Sequence, residues 1–199
     1  MAKIIGITGP SGAGKSLLCK YISEAGIPCI NADEVYHSML TPHSLCVTKI
    51  SEALGGDLIS ADGSLDRAAL SARVFGDKEK LLLLNSTVLP LVIDEIERMI
   101  SSLLGQDHSV IAVDAPTLIE SGFNKKCDLV ISVLSPAQTR IERIMARDKI
   151  SRERAEARVR AQRDDSFYVS NSDVVLINDS DEKAFAAEVR KLVTELTRP

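Results

Sequence analysis

Cysteine is scarce and scattered in this chain of 199 residues. Cys19, Cys29, Cys46 and Cys127 form no Cys-x-x-Cys pair, which argues against a disulfide framework and against a zinc site. They read as small buried hydrophobes in a reducing compartment. No apolar run approaches the roughly 20 residues that a bilayer span needs. The first strand reads from Lys3, leaving no room for a signal peptide before it. A cytoplasmic protein without a membrane contact is therefore expected. Positive charge is not in excess either: 24 Lys and Arg against 28 Asp and Glu give a net charge of −4. That balance excludes a nucleic-acid-binding surface over the whole protein and leaves room only for a local basic patch. Repeats and low-complexity segments are absent. Hydrophobic residues at 45% and charged residues at 26% suit one sizeable α/β core with a helical insertion.

Against this ordinary background one stretch stands out. Gly9-Pro10-Ser11-Gly12-Ala13-Gly14-Lys15-Ser16 fits the phosphate-cradling pattern G-x-x-x-x-G-K-[ST] at every fixed position. Chance yields such a match in fewer than about one chain in a hundred of this length. Lys3-Ile4-Ile5-Gly6-Ile7-Thr8 before it reads as a buried strand, and Leu17 to Ile22 after it as the opening of a helix. Glycines let the backbone curl so that successive N–H groups turn toward an anion, and the helix N-terminus adds its partial positive charge there. Lys15 is placed to reach the β- and γ-phosphates of a nucleoside triphosphate, and the Ser16 hydroxyl to ligate Mg²⁺.

Further apolar runs follow at Gly26–Asn31, Ser109–Asp114, Asp128–Leu134 and Asp173–Asn178, and a helix is expected over about 181–197. Continuous apolar strands alternating with helical patterns predict a parallel sheet covered on both faces, with ligands at the carboxyl ends of the strands. Two segments break the rhythm. Residues 43–105 read as helical throughout, with turns at Gly55-Gly56 and Asp62-Gly63; residues 148–170 are charged and arginine-rich, the composition of a lid.

Asp33 directly follows the second strand. It is suited to orient an attacking hydroxyl and accept its proton, and equally suited to N-cap a helix starting near Glu34. His37 lies one turn further on the same face. Asp114 ends the third strand, the usual position of the carboxylate that helps hold Mg²⁺, with a turn-forming Asp as the plainer alternative. Glu120 lies on the loop beyond. Arg140, Arg143 and Arg147, at i, i+3 and i+7, give one helix a cationic face; Arg154, Arg158 and Gln162 repeat the spacing on the next. Such faces neutralise a phosphoryl group in transfer or are simply solvated beside Glu142, Glu153 and Glu156. Asn124-Lys125-Lys126-Cys127-Asp128 looks like the guanine-reading run of GTPases, but its Asp comes one residue late and the run precedes a strand rather than following one.

Taken together, Gly6–Gly9 with Gly14-Lys15-Ser16, Ala32-Asp33…His37, Asp62-Gly63-Ser64-Leu65-Asp66-Arg67…Leu70, Val74-Phe75 and Leu84-Asn85…Pro90 resemble the dephospho-CoA kinase family. So do Val113-Asp114-Ala115-Pro116…Leu118-Ile119-Glu120-Ser121-Gly122 and Arg147-Asp148…Arg158…Gln162. The matches run from residue 3 to Asn178. The resemblance implies a P-loop kinase fold with a five-stranded parallel sheet between helices, as core (1–42, 106–147, 171–199), helical CoA-binding insertion (43–105) and lid (148–170). It implies transfer of the ATP γ-phosphoryl group to the ribose 3′-hydroxyl of dephospho-CoA by a monomer or small homo-oligomer. Asp33 then matches the catalytic base, assisted by Lys15 and Arg147. Gly12, Ala13, Gly14, Lys15, Ser16, Leu17, Arg147 and Asn178 match the nucleotide site, with Asn178 near the adenine. Asp33, His37, Arg67, Pro116, Leu118 and Glu120 match the acceptor site, and Ser16 and Asp114 the metal site. The chain departs from the family's pattern at Asn31 (frequently Asp), Leu89 (usually His), Arg140 (usually Gln), the run 163–168, and Asp179-Ser180-Asp181, which lacks a Gly. Another small-acceptor P-loop kinase is the second reading, and a nucleotide-binding protein without catalysis the third.

Overall fold

In the computed structural model, which describes residues 3–106, 108–179 and 182–196, β1 (Lys3–Thr8) turns alternate side chains to opposite faces. Ile5 and Ile7 are fully buried on one of them. Beside β1 lie β2 (Cys29–Asn31), β3 (Val110–Asp114), β4 (Leu129–Leu134) and β5 (Val174–Ile177). All pair in parallel, in the order β2-β3-β1-β4-β5. The expected sheet is therefore present, with β2 shorter than its apolar run because Pro28 lacks the N–H that a ladder needs.

Helices α1 (Lys15–Glu24) and α9 (Glu182–Leu196) pack together. Leu18 and Ile22 of α1 and Phe185, Val189 and Val193 of α9 join Ile5, Ile7, Ile131 and Val133 in one core. Residues 181 and 197 of the expected last helix lie outside the described residues, as does Ser180. Between β4 and β5 run α6 (Ala137–Asp148), α7 (Arg152–Arg160) and α8 (Asp165–Ser170). The first two are joined by a small cluster of Ile141, Ile144 and Ala155.

The chain divides into two compact units, one of Met1–Asn31 with Ser102–Pro199 and the other of Ala32–Ser101. The division assigns residues 32–42 to the second, helical unit. That unit holds α2 (Ala32–Ser38), α3 (Leu45–Leu54), α4 (Arg67–Val74) and most of α5 (Lys78–Leu104). Ser44 caps α3 through the N–H of Val47, and Asp66 caps α4 through that of Ala69. Val88, Val92, Ile96 and Ile100 form the buried stripe of α5, each four residues from the last. The segment 43–105 is not helical throughout. After the 3₁₀ turn Gly56–Leu58, Ile59 bridges Leu65 in antiparallel fashion, because Asp62-Gly63 reverses the chain.

Candidate active site

The phosphate loop leaves the carboxyl end of β1, the central strand. Gly9, Gly12 and Gly14 all have positive φ, and Gly14, at +105°, is the N-cap of α1 without a side-chain cap. The first N–H groups of α1 thus have no side-chain cap, and that of Leu17 donates to the Gly14 carbonyl at 3.0 Å. Lys15 Nζ donates to the carbonyl oxygen of Gly9 at 2.9 Å, which folds the lysine over the loop. Ala13 is fully buried, Leu17 packs against the core, and Ser16 is exposed.

Asp114 lies at the end of β3, opposite Ile7 on one side and Asn31 on the other. A carboxylate here is level with the start of the phosphate loop. Its charge reaches Cys19 of α1, whose thiol is pushed well above its ordinary range by a hydrogen bond with Cys29, by burial and by Asp114. Among the described residues no group of three or more His, Cys, Asp or Glu could cage a metal ion. The Ser16 hydroxyl and the Asp114 carboxylate are hard oxygen donors, the kind that Mg²⁺ favours.

The three arginines of α6 do not share one role. Arg140 is buried, with no hydrogen-bond partner for Nε or Nη1 among the described residues. Its backbone lies against the loop: a Cβ on Gly12 would sit 2.8 Å from the Arg140 carbonyl oxygen. The expected cationic face thus stops short of Arg140, because the start of α6 packs beneath the loop. Arg143 turns to the loop carbonyls, its Nη1 donating to Gly12 and Ala13, each at 3.3 Å. Arg147 donates to Ser11 Oγ at 3.3 Å and to Asp148 Oδ1 at 2.7 Å. Asp148 also pairs with Arg158. The two arginines, Arg147 first, hold the Asp148 carboxyl below the usual carboxylate range. On the next helix the expected face is shorter, since α7 ends at Arg160 and Gln162 lies beyond it. The spacing of Arg143 from Arg147 places it on the cationic face, but spacing alone does not show that it turns to the loop.

Asn178, just past β5, is buried, and both ends of its amide make a hydrogen bond. Its Nδ2 donates to the Ala13 carbonyl at 2.8 Å and its Oδ1 accepts from Arg143 Nη2 at 3.1 Å. Pro116 is half-buried and its carbonyl oxygen accepts from Thr8 Oγ1 at 3.4 Å; Glu120 is exposed. Leu118, expected at the acceptor, is instead a core residue. It is completely buried, and a Cβ on Gly6 would come within 2.6 Å of its Cδ2. The glycine in the middle of β1 makes room for it.

In the helical unit, Asp33 and His37 lie one turn apart on α2, both exposed. The helix already includes Ala32, so Asp33 belongs to its first turn and is not the N-cap that the sequence left open. Arg67, the first residue of α4, donates through Nη2 to His37 Nε2. The 124–128 run forms a 3₁₀ turn, Phe123–Lys126, that leads into β4, where the Asp128 carboxylate accepts from the N–H of Ile4.

Known proteins include clear relatives of this chain. A protein of Carboxydothermus hydrogenoformans named dephospho-CoA kinase is 37% identical over 175 residues, covering 88% of this chain and 85% of the relative. One of the same name from Corynebacterium glutamicum is 31% identical over 192 residues, 96% of each chain. The solved dephospho-CoA kinase of Campylobacter jejuni superposes with a TM-score of 0.73 at 27% identity, covering 99% of this chain and 98% of that one. The family model described as dephospho-CoA kinase matches residues 3–184, and the chain, a P-loop kinase in fold, belongs to the dephospho-CoA kinase family.

Proposed function

We propose that the protein transfers the γ-phosphoryl group of ATP to the ribose 3′-hydroxyl of dephospho-CoA, giving CoA and ADP, the last step of coenzyme A synthesis. Membership of the family across residues 3–184 carries this reading. Lys15 and the loop from Gly12 to Leu17 bind the β- and γ-phosphates. Ser16 and Asp114 hold Mg²⁺, which offsets charge on the phosphate oxygens. Arg147, already at the loop through Ser11, neutralises charge that spreads over the transferred group. Asp33 accepts the proton of the attacking hydroxyl. Arg67, held by His37, binds the anionic acceptor; Pro116 and Glu120 match the family's acceptor residues.

The helical segment 43–105 serves as the acceptor-binding part and residues 148–170 as the lid over the donor. No helix among the described residues is long and apolar enough to cross a membrane. We infer a cytoplasmic enzyme, a monomer or small homo-oligomer, with no nucleic-acid partner.

The test is direct. Purified protein with ATP, Mg²⁺ and dephospho-CoA should form CoA, followed by chromatography, and should turn over nucleosides and nucleoside monophosphates far more slowly. No CoA, or faster turnover of a nucleoside acceptor, would overturn the assignment.

A further inference from the structure

When the N–H groups of a phosphate loop turn inward, the carbonyls of the same residues turn outward, and buried carbonyls need donors. Here those donors come from far along the chain. Arg143 Nη1 reaches Gly12 O, Ala13 O and Ser135 Oγ, all at 3.3 Å. Asn178 Nδ2 reaches Ala13 O at 2.8 Å, and its Oδ1 accepts from Arg143 Nη2 at 3.1 Å. Asn178 is pinned in turn by its backbone. Its N–H donates to Leu134 O at 2.7 Å, and its carbonyl accepts from Ser135 Oγ at 2.8 Å. This network settles which way the amide points, since only its nitrogen can face a carbonyl and only its oxygen a guanidinium. It also explains the glycine: a Cβ on Gly14 would lie 2.1 Å from Asn178 Nδ2.

We infer that Asn178 and Arg143 are positioning residues for the donor site. They grip the outward carbonyls of Gly12 and Ala13 and so hold the loop in the shape that receives phosphate. With its amide held between the Ala13 carbonyl and the Arg143 guanidinium, Asn178 serves the triphosphate through the loop rather than by reading the base. All the named partners of Arg143 are neutral oxygens, so its charge also remains behind the loop as a fixed attraction for anions. The inference rests on the reading that the loop binds ATP, but not on which acceptor is phosphorylated.

The experiment compares a ligand with a base and one without. ADP and inorganic tripolyphosphate are titrated into the native protein, Asn178→Asp and Arg143→Lys by calorimetry, and KM is measured for each substrate. Asn178→Asp keeps the shape but turns an acceptor toward the Ala13 carbonyl; Arg143→Lys keeps the charge but loses the fork. Both variants are expected to weaken ADP and tripolyphosphate by the same factor, about 10- to 100-fold. KM for ATP should rise with them and KM for the acceptor should stay put. Loss of ADP binding with tripolyphosphate unaffected would make Asn178 a base contact and overturn the inference. Unchanged affinity for both ligands, or a parallel rise in both KM values, would overturn it as well. If Asn178→Asp does not fold, Arg143→Lys carries the same comparison. Failure of the acceptor assignment would leave these binding results untouched, so the two readings fail separately.

Discussion

Nη2 of Arg67 donates to Nε2 of His37 at 2.7 Å, linking the first turn of α4 to the end of α2. A guanidinium cannot accept, so Nε2 carries the lone pair and the ring proton sits on Nδ1. If this pair holds the acceptor, Arg67→Lys should raise KM for dephospho-CoA about 10- to 100-fold, the worth of one charged, oriented contact. KM for ATP should move by less than about twofold. His37→Gln, which keeps an acceptor oxygen, should stay close to the native values. Steady-state kinetics with each substrate varied in turn checks all three.

Asp33→Asn separates chemistry from helix stability. As the base, Asp33 contributes to kcat, which should fall about 10²- to 10⁴-fold on its loss. As a first-turn acid it contributes only about 0.3–1 kcal/mol to the helix. A rate unchanged in single-turnover assays, with a slightly lower Tm, would leave it the structural role alone.

Leu118→Ala should behave as a core truncation. The fully buried side chain against Gly6 predicts a loss of about 2–5 kcal/mol in stability. Denaturant unfolding measures this, and KM for the acceptor should hardly change in the folded fraction. A large KM effect without loss of stability would return Leu118 to the acceptor site.

The thiols give a pH-linked check. Burial raises Cys46, and Cys127 is pushed up to about 12 by burial and by the charges of Asp128 and Asp173. Cys19 is raised further, by its hydrogen bond with Cys29 and by burial. A raised thiol pKa means less thiolate at a given pH, and the thiolate is the nucleophile. Alkylation of these three by iodoacetamide at pH 8 should be slow in the folded protein and rapid in urea. Fast native labelling at Cys127 would contradict the burial.

Much of this was legible in the sequence, for reasons that differ by residue. The strands announce themselves because both sheet faces are covered, so β3 and β4 are nearly unbroken apolar runs. The phosphate loop is legible because its geometry demands glycine at fixed spacing. Long-range side-chain direction is not written in local pattern. Arg140, Arg143 and Arg147 look alike as a spacing, yet one is buried, one braces the loop and one reaches Ser11. Leu118 resembles a motif residue until the gap left by Gly6 shows what it fills. Asp33 reads as a possible cap from local sequence, but α2 already includes Ala32.

The placing of β1 at the middle of the sheet has a cost during synthesis. Lys3 lies opposite Val110 and Ile5 opposite Leu129, separations of 110 − 3 = 107 and 129 − 5 = 124 residues. Contacts between residues so distant in sequence close slowly. At ribosomal speeds of about 5–20 residues per second, β1 waits roughly 6–25 s for its second neighbour to be made. Nascent chains arrested before Leu134 should therefore bind no nucleotide, and the entire helical unit emerges in the interval. The phosphate loop is translated well before the strands that frame it.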